Sequence, residues 1–168
     1  MQETTFQEFH NTALGLINLL NHLTEEQLNY QPDQGWSAGQ LADHLLKSYA
    51  FVRTLNGETR MTVRPIDEKL EPVKFMFADD SLKMESPKAI IPTNEKINKE
   101  TIISGLQKKI EQIEKVIKSE DLSLTCIDFS IPEYGEFTRY EWIWFNIYHT
   151  QRHIRQLENI VKTNNLVQ

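Results

Sequence analysis

Two histidines lie four residues apart in the stretch Tyr148-His149-Thr150-Gln151-Arg152-His153. On a helix, that spacing sends both imidazoles from the same face about one turn apart, close enough to grip one ion. A third histidine, His44, falls on the apolar face of another expected helix, framed by Leu41, Leu45 and Val52. Three histidines without a fourth strong ligand suit a catalytic or exchangeable metal site with an open position better than a closed structural one. Neutral imidazoles leave the ion its full charge, so it can acidify water to supply hydroxide near neutral pH. The same position could instead take a thiol and turn it into a thiolate nucleophile. Zn(II) is the default ion and Ni(II) the next, since imidazole suits several divalent metals.

A bare H-x-x-x-H also arises where core histidines are simply hydrogen-bonded, and that reading stands beside the metal one. The inner stripe of Trp142, Phe145 and Ile160 around His149 and His153 strengthens the metal reading, because unpaired imidazoles there would be costly. His10, beside Phe6, Ala13 and Ile17, is an alternative third ligand or a rim histidine. His22 reads as a partner of its helix C-terminus. Gln40 lies one turn before His44, Gln156 three residues after His153, and Asn146 three before His149. Each could orient a ligand or bind a substrate or cofactor; for Asn146 a solvent-facing amide is the simpler description. No carboxylate occupies a persuasive general-base position, Glu141 reads as a cap, and no catalytic residue is assigned. Cys126 has no neighbouring base to activate it and reads as a buried, inert thiol. Trp36, Trp142 and Trp144 read as packing residues, with Trp144 off the main stripe and able to line a pocket or a dimer contact.

Four helical segments must position these groups. Phe6, Phe9, Ala13, Leu16, Ile17, Leu20 and Leu23 recur at helical spacing in the first. Thr24 with Gln27 opens a short helix or turn that Gln31 to Gly35 ends. Ser37 with Gln40 is a second capping box, opening a helix that carries His44 and runs to about Gly57. The third helix covers about Glu100 to Ser119, with Ile103, Leu106, Ile110, Ile113 and Ile117 as its seam. Its interleaved lysines and glutamates read as a solvated face. Thr138 with Glu141 opens the fourth, which carries His149 and His153 to about Lys162.

Residues 58–97 show no helical period, yet Val73, Phe75, Met76 and Phe77 could pack and Pro65, Pro72, Pro87 and Pro92 punctuate them. A segment that long is read as a crossover returning the chain along the bundle. The expectation is an all-α fold, a four-helix bundle with one long crossover between its second and third helices. Asp121 to Phe137 is a shorter connection with turns at Pro132 and Gly135. The chain of 168 residues fits one domain, 1–168. Its charge of −6 argues against nucleic acid or anionic lipid as partner. One cysteine, no basic leader and no long apolar run point to the cytoplasm and away from the membrane.

The run Gly35-Trp36-Ser37-Ala38-Gly39-Gln40-Leu41-Ala42-Asp43-His44-Leu45, with His149-x-x-x-His153-x-x-Gln156, resembles the DinB-like (YfiT-like) metal-binding bundle superfamily. Glu85-Ser86-Pro87-Lys88-Ala89-Ile90-Ile91-Pro92-Thr93 resembles a feature of one branch of it. The resemblance covers nearly the whole chain and implies an up-down-down-up four-helix bundle. It implies a divalent ion held by one histidine of the second helix and two of the last, here His44, His149 and His153. Relatives in that group include thiol-dependent transferases and isomerases and proteins labelled hydrolases.

The resulting expectation is a divalent-metal-binding protein that activates a small-molecule thiol for transfer to an electrophile. A metal-dependent hydrolase and a non-catalytic metal-binding or stress-response bundle are the alternatives. Cofactors would be Zn2+ or Ni2+ and a low-molecular-weight thiol; the partner would be a small molecule, with a homodimer plausible through Trp144 and Tyr148.

Overall fold

The computed structural model describes residues 1–82 and 84–165. The chain is mostly helical, with α1 at Gln2–His22, α2 at Glu25–Asn29, α3 at Ala38–Ser48, α4 at Val52–Leu55, α5 at Leu70–Ala78, α6 at Lys99–Ser119 and α7 at Arg139–Asn165. Three short strands complete it: β1 at Thr59–Arg60, β2 at Thr125–Ile131 and β3 at Gly135–Thr138. α1 packs against α6 and α7, and α3 packs against the same two helices. The core between them is built from Phe9, Leu16, Leu20, Leu45, Leu106, Ile113, Ile117 and Ile147, all essentially sealed from solvent.

Helix starts follow the capping chemistry. Thr24 accepts from the Gln27 amide while the Gln27 side chain accepts from the Thr24 amide, and Ser37 and Gln40 repeat the exchange. Thr138 and Glu141 do the same at the start of α7. The helix expected from Ser37 to Gly57 is not continuous. It stops at Ser48, tightens through a 3-10 turn at Tyr49–Phe51 and resumes as α4. Ser48 Oγ donates to the Leu45 carbonyl at 2.9 Å. A serine hydroxyl bonding back to the preceding turn competes with the helical ladder and bends it.

Two elements correct the all-α expectation. Residues 125–138 form an antiparallel hairpin, β2 with β3, and β1 adds to its far side in the order β1-β2-β3. The hairpin turns where Pro132 and Gly135 mark it, with Glu133 and Gly135 both at positive φ. β-branched and aromatic residues recur through Thr125, Ile127, Phe129 and Ile131, a strand composition read earlier only as a connection. The 58–97 segment also contains a helix. Pro72 is the third residue of α5, where its missing N–H leaves no helical hydrogen bond unmade. Val73 and Phe77, one turn apart, bury that helix against α7. Among the described residues no helix is long and apolar enough to cross a membrane.

Candidate metal centre

His44 leaves the middle of α3, while His149 and His153 leave one face of α7, and the three rings meet between these helices. His44 Nε2 lies 3.0 Å from His149 Nε2, and His153 Nε2 lies 3.0 Å from the same atom. All three residues are buried. Phe77 from α5 and Phe145 pack on the His149 ring, and Trp36 packs on His44 with ring centroids 5.0 Å apart.

The outer ring nitrogens fix the tautomers. His44 Nδ1 stands 2.8 Å from the Ile90 carbonyl, which can only accept, so Nδ1 carries the proton. His153 Nδ1 donates to Gln156 Oε1 at 2.7 Å. Both rings therefore point unprotonated Nε2 lone pairs inward. His149 has a single ring proton when neutral, and its buried Nδ1 has no partner among the described residues. If that proton sits on Nε2 it can serve only one of two facing lone pairs; if on Nδ1, three lone pairs converge. Either way the protein alone leaves the cluster unsatisfied, whereas one cation would meet all three lone pairs. Two nitrogens held about 2.0–2.1 Å from one ion stand about 2.9–3.4 Å apart at ordinary angles, which matches the observed spacing. These residues could hold a metal ion, and their donor set suits one.

Electrostatics keep the rings neutral. Burial pushes the His44 pKa down against the opposing pull of the Ile90 carbonyl. Burial, then the neighbouring His153 and His44, pushes His149 well below its ordinary value. His153 falls to about 4, again chiefly through burial and then through His44.

The cluster forms part of the wall of a cavity of about 980 Å³. Trp36, Phe51, Phe129, Trp142 and Phe145 also line it, so the interior is largely apolar. Gln156 lines it beside His153, as the spacing suggested. Gln40 does not. Its Oε1 caps the Ser37 amide and its Nε2 donates to the Thr93 carbonyl at 3.2 Å, so the structure gives it a different task from cofactor binding. With Asp43, which accepts from the Thr93 amide, and Lys47, which donates to the Ile91 carbonyl, Gln40 straps residues 91–94 along α3. That strap holds the Ile90 carbonyl against His44.

Other sequence candidates lie elsewhere. His10 stands 2.7 Å from Glu114 on α6 and stacks on Phe6, away from the cluster. Cys126 is fully buried in β2, and burial pushes its thiol up to about 11. Trp144 and Tyr148 are half-buried and pack on each other, less exposed than the pattern implied. Asn146 is not solvent-facing: it is 2% exposed and lines the cavity. Arg152, buried in the same wall, donates from both terminal nitrogens to the Asp79 and Leu82 carbonyls at 2.6 Å each, pinning the loop after α5 to α7. Its position between two histidines was the available signal, but its partners sit 70 and 73 residues away.

Glu141 also does more than cap. It is completely buried and accepts from Thr138 N, from Lys69 N and from both terminal nitrogens of Arg64. This pairing ties residues 64–69 to the start of the helix that carries two of the three histidines.

The chain is 28% identical to the uncharacterized protein YuaE of Bacillus subtilis (strain 168) over 159 residues, covering 90% of this chain and 94% of the relative. No solved structure matches it significantly. The DinB superfamily matches residues 8–157, a span that contains His44, His149 and His153 together with the strap and most of the cavity lining. The chain belongs to the DinB superfamily, a group of metal-binding proteins.

Proposed function

We propose that this protein is a metal-dependent enzyme holding one divalent ion, zinc or nickel, on His44, His149 and His153. It activates a low-molecular-weight thiol for transfer to an electrophilic small molecule. The observation that carries this reading is the convergence of three inward Nε2 lone pairs at the wall of a large apolar cavity. Bound there, the ion supplies positive charge that lowers the pKa of a thiol or water beside it. The chain itself supplies orientation and a dry chamber. Ile90 and Gln156 hold two ligand rings in one tautomer. Trp36, Phe51 and Phe145 exclude water and offer apolar surface to a substrate body. The fold that serves this is a four-helix bundle of α1, α3, α6 and α7 running up-down-down-up, within one domain and with residues 58–97 as its crossover.

Metal-assisted hydrolysis is the second reading. It is favoured by one observation, that the carboxylate residue Glu85 lines the same cavity. Product analysis with and without thiol separates the two.

Elemental analysis of tag-free protein beside His149→Ala is the first test. About one divalent ion per chain, lost in the variant, is expected. No ion in either protein after zinc or nickel is supplied would overturn the metal reading. Thiol transfer that persists after complete metal removal would overturn the catalytic role assigned to the ion.

A further inference from the structure

Asn146 shares one stripe of α7 with Trp142, His149 and His153, and all four line the cavity. Asparagine is a poor residue for a helix interior, and a buried amide needs partners for both ends. Its Nδ2 donates to the Trp142 carbonyl at 2.9 Å. That carbonyl can only accept, so the orientation of the amide is settled and Oδ1 is the free end. Among the described residues no donor reaches Oδ1. Among the described residues the side-chain atoms sealed from solvent without a partner are Trp142 Nε1, Trp144 Nε1 and His149 Nδ1. Asn146 Oδ1 is not one of them, so its unmet lone pairs open onto the cavity. The contact through Nδ2 adds little to folding, because the Trp142 carbonyl already accepts the helical bond from residue 146. A residue that weakens its own helix and leaves an acceptor open marks a place where function overrides local preference.

We infer that Asn146 is a specificity-determining residue whose Oδ1 accepts a hydrogen bond from an N–H or O–H group of the substrate. The inference rests on the cavity being the substrate site proposed above. Asn146 precedes His149 by three residues, about 4.5 Å along the helix axis, so the donor belongs roughly two to four bonds from the group held at the histidines. The substrate class is therefore a small thiol or electrophile with an apolar or aromatic body and an amide N–H or hydroxyl close to its reacting atom. An ester or ether isostere would leave Oδ1 unpaired and bind less well.

The test uses two thiols that differ in one group, N-acetylcysteamine with an amide N–H and 2-mercaptoethyl acetate with an ester oxygen. Each is titrated calorimetrically into zinc-loaded wild type and Asn146→Leu, and both ligand-free proteins are melted. The wild type is expected to prefer the amide about tenfold, and the variant to discriminate within about twofold. Zinc content should be equal in the two proteins. The ligand-free variant should melt at the same or a higher temperature, because leucine is the better helix former and Oδ1 holds no other part of the protein. Equal affinities in wild type, no binding of either thiol, or an unchanged preference in the variant would overturn the inference. A variant melting several degrees lower would overturn it too, since Asn146 would then be structural. A wild type that takes up no zinc defeats the metal reading instead, and the melts and titrations of metal-free protein still decide the role of Asn146.

Discussion

Imidazoles free in water take up protons below about pH 6.5, whereas burial holds these three neutral to lower pH. For His153 the folded value is about 4, set first by burial and then by His44. Between those values an unfolded chain binds a proton that the folded metal-free protein refuses. Stability is therefore fully present above about pH 6.5 and declines as pH falls toward 4. Urea melts of metal-free protein across this range should show the decline, and a flat profile from pH 7.5 to 5 would contradict it. Metal-free His153→Phe should show a shallower decline, because one of the groups refusing a proton is gone. The convergence of three histidines was legible in the sequence because helical spacing and apolar flanks are local signals. The tasks of Gln40 and Asn146 were not. Gln40 finds its partner at Thr93, 53 residues away, and Asn146 is buried by elements whose approach no window of α7 reveals.

Capping chemistry places the helices that carry the ligands, and its removal has calculable costs. Ser37→Ala breaks the exchange with Gln40 at the head of α3 and should cost about 1 kcal/mol in denaturant unfolding. Glu141→Ala is expected to be far worse, roughly 3–5 kcal/mol, because Arg64 and the Lys69 amide lose their buried acceptor together. A loss under 1 kcal/mol would show that the pairing between residues 64–69 and α7 is not structural. Both caps were readable as S/T-x-x-E/Q patterns, and the extent of α6 was readable from its apolar seam. The hairpin and α5 were not read. The pairing of β2 with β3 shifts register between Thr125 and Ser130 and leaves Ile127 and Phe129 exposed, and Pro72 looks like a breaker until its place in a first turn is known. Ser48 gave no sign that its hydroxyl would end α3 early.

The two helices that bring the histidines together join parts of the chain 105 residues apart, His44 to His149. An ion between them therefore ties α3 to α7 and should raise the melting temperature with concentration. The gain is about 2.7 kcal/mol when free zinc reaches a hundred times its dissociation constant. Chelation should reverse it without unfolding the protein, because the buried apolar core built on residues such as Leu16, Leu106 and Ile113 supplies the folding stability. Calorimetric scans with zinc and with chelator check both expectations, and His153→Ala should abolish the shift. At this scale residues 58–97 read as one long connection between helices. What escaped was its anchoring by Glu141, by Arg152 and by the strap on α3, contacts that only tertiary approach creates. The sealed sulfur of Cys126 carries a last consequence. With its thiol fully buried and pushed up to about 11, the only cysteine in the sequence offers no reactive thiolate. Electrophiles entering the chamber cannot alkylate their host through cysteine, and oxidised thiols have no partner for a mixed disulfide. In the folded protein a sulfhydryl reagent meets no accessible cysteine, so added small thiols can be titrated without a contribution from the polypeptide.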